Sequence, residues 1–281
     1  MSAPAVPRPA TTAPVRRRRR AFSARAFPGT AAVSFVALAF LYVPMAVVVV
    51  LAFNTGDRAL IWEGFGTQWF GRVLSNADLV DATLVSLRLA ALATLLATVM
   101  AVGIALVLDR WGRRGAGIAL ALIGAPLIIP EVVLGVATLG FIRLWGLAPG
   151  FPALLLAHTT FCIPFALLPI RARLSQLDPA YAEAAADLGA SSWRMLRRIL
   201  LPLLLPGIVS GALLSFIISL DDVIISSFLS AAGSTTLPIY LFGLVRKGVS
   251  PGVNAVATLL LLLSGVVVTV TYLLTRKRTA T

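Results

Sequence analysis

Long apolar runs, separated by short polar or basic segments, dominate this chain. Ala32 to Phe53 is twenty-two residues without a charge, enough at about 1.5 Å of helical rise per residue to cross a hydrocarbon layer of about 30 Å. Five further runs share that character: Ala82–Leu108, Ala116–Ile142, Ala153–Ile170, Ile199–Leu220 and Val253–Leu274. The pattern predicts an all-α integral membrane chain with six transmembrane helices over residues 30–275.

Composition agrees. Of 281 residues, 59% are hydrophobic and 12% charged, outside the range of water-soluble domains and against a soluble enzyme. Twenty-four Lys and Arg against eleven acids give a formal charge of +13. Because the basic residues punctuate apolar runs, they read as topology signals rather than as a nucleic-acid surface. Eighteen fall on one side: Arg8, Arg16 to Arg20 and Arg25; Arg110, Arg113 and Arg114; Arg171, Arg173, Arg194, Arg197 and Arg198; Arg276, Lys277 and Arg278. The other side has Arg58, Arg72, Arg143, Arg246 and Lys247, with Arg88 inside the second run. Both termini are therefore expected in the cytoplasm. Residues 1–29 read as a disordered basic tail near an anionic lipid surface, and residues 276–281 as a basic end. The first run is too long for a signal-peptide core and reads as an anchor. One cysteine and one histidine leave no disulfide framework and no His-based metal cluster.

The connection between the fourth and fifth runs, about 172–198, is expected to fold as two short helices with a glycine elbow. Asp178 is a good N-cap, and Pro179 sits where a missing N–H costs nothing. Alanines propagate the helix and Gly189 supplies a left-handed stop. Ser191 or Ser192 caps a second helix beginning near Trp193 and running toward the membrane. The order Glu183-Ala184-Ala185, Gly189 four residues on, then Ile199 and Leu201-Pro202 resembles the signature loop of the membrane subunits of binding-protein-dependent ABC importers. That resemblance implies coupling helices that dock into a groove on an ATP-hydrolysing subunit, through Tyr181, Glu183, Ala184, Ala185 and Gly189. The chain carries no phosphate-binding G-x-x-x-x-G-K-[ST] loop of its own.

Ionisable groups in a span cost about 2.5–3.5 kcal/mol each on insertion scales, so they ask for a reason. Glu131 follows Pro130 in the third run, about 22 Å along it, past the midplane. Asp221 and Asp222 close the fifth run in its outer half. These acids are read as lining a transport pathway or gate, against a local ion pair or helix cap as the plainer alternative. Ser215, Ser219 and Asp222 share a helix face. Gly207, Gly211, Ser215 and Ser219 recur at every fourth position, so for the serines a small-residue packing seam outweighs contact with cargo, with Ser219 kept among the pathway candidates. His158 has no nucleophile motif beside it and reads as a polar interhelical contact. Cys162 reads as a small buried apolar group. Trp62, Phe65, Trp69 and Phe70 form an aromatic patch suited to an interfacial belt or a protein-docking surface.

Carboxylates without matching bases at one depth suit a cationic cargo. Leu127-Ile128-Ile129-Pro130-Glu131, His158 to Phe165, Ser219-Leu220-Asp221-Asp222, Gly233 to Tyr240 and Val245 to Val249 are similar to segments of the spermidine/putrescine importer permeases, nearest the second permease of the pair, from about Ala32 to Leu274. Pro251-Gly252-Val253-Asn254 departs from that group's usual outer-loop run. The resemblance implies a type I importer-like fold, a homologous second permease, two ATP-binding subunits carrying the ATP and Mg, an external solute-binding protein and a small cationic solute. No cofactor is expected on this chain. The rivals are the same machine with another solute and, less favoured for want of an inverted repeat, an ion-coupled secondary transporter.

Overall fold

A computed structural model describes residues 30–110, 113–248 and 250–276. The basic tail at 1–29 and the end at 277–281 lie outside the described residues. The chain divides into two units, the first ending at Val47 and the second running from Val48. α1, Thr30–Leu51, contains Pro44 and supplies all of the described first unit.

The described residues of the second unit carry the helices α2 (Gln68–Leu74), α3 (Ala77–Arg110), α4 (Arg113–Gly124), α5 (Glu131–Leu144), α6 (Phe151–Leu174), α7 (Ala180–Asp187), α8 (Ser192–Met195), α9 (Leu201–Asp221), α10 (Ile224–Leu229), α11 (Leu237–Lys247) and α12 (Pro251–Arg276). Among the described residues the only extended pairing is one bridge between Asn54 and Phe65. Four helical runs are long and apolar enough to cross a bilayer singly: Ala31–Leu51, Ala77–Arg110, Phe151–Leu174 and Ser192–Asp221. The sixth expected run lies in α12, whose described apolar segment is Pro251–Leu262.

The third expected crossing needs correction. Ala116–Ile142 is not one rod: the helix passes through a 3-10 turn at Ala125–Leu127 and turns by 101° before Glu131–Leu144. Two prolines explain the break. Pro126 and Pro130 each lack an N–H, and the residue before a proline is pushed out of helical conformation. Pro130 itself is extended, with ψ of 132°, so α5 starts afresh at Glu131.

α3, α6 and α9 pack together to form the core. Toward the basic end, Ala101, Ala105, Leu108, Ala166, Leu167 and Ile170 form one apolar cluster. Toward the other end, Leu89, Ile142, Leu154, Phe161, Ile225 and Leu229 form another, joined by α5 and α10. The α6–α9 contact is antiparallel and in strict register. A Cβ at Gly211 would stand 2.5 Å from the Ala166 carbonyl oxygen, and one at Gly207 3.0 Å from that of Pro169. One turn further, Ser215 Oγ donates to the Cys162 carbonyl at 3.2 Å while Cys162 Sγ donates to the Ser215 carbonyl at 3.4 Å. The final step pairs Ser219 with His158. Every-fourth-residue small side chains thus let two backbones touch, because any larger group would hold them apart.

A third cluster gathers Ala52, Val73, Leu79, Leu237, Ala255 and Val256, with Trp69 and Phe70 packed against it. The aromatic patch is thereby divided: Trp69 and Phe70 are partly buried, whereas Trp62 and Phe65 stay exposed and Phe65 stacks on Phe53 with centroids 5.4 Å apart. Buried Asn54 holds the loop between them. Its Nδ2 donates to the carbonyls of Arg58 and Ile61, and its Oδ1 accepts from Gly56 and Glu63.

Candidate functional site

Two places combine unusual polarity with a position that could move: a corner where α9 meets α10, and the knob formed by α7 and α8. At the corner, α9 ends at Asp221, Asp222 is extended with ψ of 124°, and α10 sets off two residues later. The side chain of Asp222 does what the missing first-turn partners cannot. Its Oδ1 accepts from Ile225 N at 3.2 Å and its Oδ2 from Ser226 N at 2.8 Å. His158, reaching in from α6, stands with Nε2 3.5 Å from Asp222 Oδ2, both side chains only 2% exposed. The imidazole bridges two hydroxyls: Nδ1 lies 2.9 Å from Ser219 Oγ and Nε2 3.0 Å from Ser226 Oγ. A carboxylate beside Nε2 favours the proton there. In that tautomer Nε2 donates to Ser226, and Nδ1 accepts from the Ser219 hydroxyl. Four polar side chains in apolar surroundings are therefore mutually satisfied, as burial demands.

The two adjacent aspartates face different surroundings. Asp222 is buried in this network, whereas Asp221 is exposed. Glu131 is half-buried at the start of α5. It also lines an open groove of about 700 Å³ with Pro126, Leu127, Phe161, Phe165 and Ile224. Of these three acids, only Glu131 lines the groove, and Asp221 is exposed outside it. Neither Asp222 nor Ser219 lines that groove; Ser219 stands in the helix seam, where the four-residue spacing put it. His158 is an interhelical contact, as its isolation suggested. Ser226 escaped the sequence reading. Its signal is the fourth position after Asp222, where a capping carboxylate finds an N–H.

The knob is built as its end signals require. Asp178 Oδ1 accepts from Ala180 N at 2.9 Å and starts α7. Gly189, with φ of +71°, stops it in the left-handed conformation. The Ala190 N–H returns to the Ala185 carbonyl at 2.9 Å, the six-to-one bond of a Schellman cap. Ser191 then caps α8, accepting from Arg194 N at 3.4 Å. A π-helical stretch, Leu196–Leu200, joins α8 to α9, so the second knob helix and the fifth expected crossing form one helical run. Of the residues implicated in coupling, Tyr181, Glu183, Ala184 and Gly189 are exposed, while Ala185 is buried. Tyr181, Ala184 and Leu188 lie on one outward face, with Leu188 88% exposed. Behind the knob a groove of about 570 Å³ runs past Leu106, Asp109, Leu177, Tyr181, Trp193 and Met195.

Residues 93–280 match the family described as binding-protein-dependent transport system inner membrane component. Over 243 residues the chain is 42% identical to the spermidine/putrescine transport system permease protein PotC of Haemophilus influenzae, covering 86% of this chain and 95% of that one. Over 235 residues it is 41% identical to the putrescine transport system permease protein PotI of Escherichia coli, covering 81% and 84%. Among solved structures, a bacterial ABC transporter involved in the import of the acidic polysaccharide alginate superposes with a TM-score of 0.66 at 16% identity, over 88% of this chain and 94% of that one. The last likeness is one of fold.

Proposed function

The chain belongs to the family of binding-protein-dependent transport system inner membrane components, and from that premise we propose that it carries a polyamine, putrescine or spermidine, as one permease of an ATP-driven importer. It is a multi-pass membrane protein and the permease component of an ABC importer. Identity of 42% to a spermidine/putrescine permease across 86% of the chain is the observation that carries the cargo reading. The chemistry of the corner supports it. Glu131 lines the open groove and Asp221 is exposed, and carboxylates attract an extended polycation. The fold leaves cargo open, since a structural relative imports an acidic polysaccharide; the charge of the route must supply the choice.

In this reading both termini face the cytoplasm, and the knob beneath the membrane is the socket for a separate motor. Two partner subunits bind ATP and Mg, and the loop transmits their closure. Tyr181, Glu183 and Ala184 meet the motor, Ala185 packs the knob onto its own chain, and Gly189 sets the elbow. Movement passes through the π-helical joint into α9, which ends at the acids. A homologous second permease completes the channel, and an external binding protein delivers the solute. Asp222 and Ser219 belong to the gate, and Glu131 and Asp221 to the route.

The test is uptake of labelled putrescine and spermidine by the complete complex in vesicles. Uptake should require ATP and stop with vanadate; uptake driven by an ion gradient without ATP would sink the reading, as would failure to take up either polyamine. Glu131→Gln and Asp221→Asn should each raise the apparent KM several-fold while the ATP-binding subunits stay attached. The loss should shrink as salt screens the remaining charges. Unchanged kinetics for both would remove these acids from the route.

A further inference from the structure

Four buried polar side chains meet at the α9–α10 corner, and one of them, His158, touches the other three. His158 is the chain's only histidine, fixed in the middle of α6 by the register of the glycine-serine seam. One ring nitrogen holds Ser219 on α9; the other holds Ser226 on α10 and faces Asp222 between them. Ser226 is fully buried, and α10 is tied to both flanking elements. The Leu229 carbonyl accepts from Gly150 N at 2.8 Å, just before α6 begins. Phe228 lies so close to Gly135 of α5 that a Cβ there would be 2.5 Å from the ring. α5 in turn begins with Glu131, so the chain of contacts runs without a gap from α9 through His158 and α10 to the acid on the groove.

We propose that His158 is a positioning residue for transport: it ties the end of α9 to α10 and so makes movement of α9 reset the helix that carries Glu131. The proposal rests on the importer reading above for the direction of the movement, but not on the cargo. The physical reason is that a buried hydrogen-bonded network has few alternative arrangements. Breaking one bond strands its partners without water, so the members shift together or not at all. An apolar contact at the same corner would slide. Asp222 has a different part from its neighbour: with its oxygens engaged by two backbone N–H groups and facing the ring, it shapes the corner, and Asp221 is left to face the open side.

The experiment uses the complete complex with its solute-binding protein, reconstituted in vesicles. It reads ATP hydrolysis with and without the loaded binding protein, together with uptake of labelled putrescine and spermidine. His158→Leu should retain hydrolysis without the binding protein, and both stimulation by the loaded binding protein and uptake per ATP should fall about tenfold, within the usual range of coupling between sites. His158→Gln, which keeps one donor and one acceptor, should recover at least half of the loss. A merely structural role would lower the amount of assembled complex and leave the uptake-to-hydrolysis ratio unchanged. Ser226→Ala removes one partner and only one oxygen atom; it should lower the ratio several-fold and decides the matter if His158→Leu does not assemble. A wild-type ratio in Ser226→Ala and in any assembled His158→Leu complex would overturn the proposal. Absence of polyamine uptake by the wild-type complex would instead overturn the cargo reading, and the binding-protein stimulation would still judge His158.

Discussion

The buried corner and the exposed knob both sit at helix ends, yet they are held by opposite means. At the corner, His158, Ser219, Asp222 and Ser226 join segments separated by 61 and 68 residues, with almost no access to water. At the knob, the defining bonds join residues two to five apart, Asp178 to Ala180, Ala185 to Ala190 and Ser191 to Arg194, and the outer face is open. The first arrangement is cooperative: each polar group depends on the others staying in place. The second is modular, built from capping pieces that water can replace at modest cost. The proposed passage of force from a docked motor to a cargo route would gain from that difference. The end proposed to engage a partner has the adaptable surface, and the end proposed to set the route keeps one geometry.

The contrast can be broken most severely in the seam leading to the corner. Gly211→Val places a branched side chain where even a Cβ meets the Ala166 backbone at 2.5 Å. Two helices must separate, and the register that delivers His158 to Ser219 goes with them. Overpacking of this kind costs about 1–3 kcal/mol or more. A lower thermal midpoint of the purified complex, together with lost uptake, is the expected result; wild-type values for both would show the seam to be loose.

Gly189→Val strikes the knob with a different signature. A Cβ at Gly189 meets nothing within 4 Å, so the penalty is in the backbone, which has φ of +71°. Holding a branched residue there costs on the order of 1–3 kcal/mol, and the local alternative is to reopen the elbow. Normal insertion and normal thermal stability of the membrane core, with uptake uncoupled from hydrolysis, should follow. Gly189→Asn should be milder, because asparagine tolerates the left-handed region. Full transport by the valine variant at normal expression would count against the elbow.

The smallest effect is expected from Ser191→Ala. Its bond to Arg194 N is long, 3.4 Å, and exposed. Loss of an N-cap costs about 0.5–2 kcal/mol, and this one belongs at the low end. Uptake within about twofold of wild type, with faster hydrogen exchange at α8, would sharpen the contrast; a collapse as deep as that of the seam variant would erase it.

How much of this was legible beforehand follows the same division. Asp178, Gly189 and Ser191 announced the knob because helix ends are decided by neighbours in sequence, and those neighbours are visible. The four-residue recurrence from Gly207 to Ser219 announced a packing face for the same reason, though not the helix it would meet. Pro126 and Pro130 weaken any helix they fall in, because each lacks an N–H. They did not signal a 101° turn, because the direction taken after a break depends on what the freed segment packs against. Asp221 and Asp222 are the sharpest case. Helical spacing sets Asp222, not Asp221, on the face of Ser215 and Ser219, but their different burial arises because α9 ends between them and α10 turns back onto His158.

The amino-acid order alone thus determined the membrane-embedded helical character, the capped knob and the small-residue face, since each depends on hydropathy, periodicity or conformational preference within a few residues. Only the tertiary structure decided that His158 meets Ser219, Ser226 and Asp222, that Ala185 turns inward, and that Glu131 lines a groove while Asp221 stays exposed outside it. Those outcomes depend on contacts between distant segments, where antiparallel packing in register, and not local preference, selects the partner.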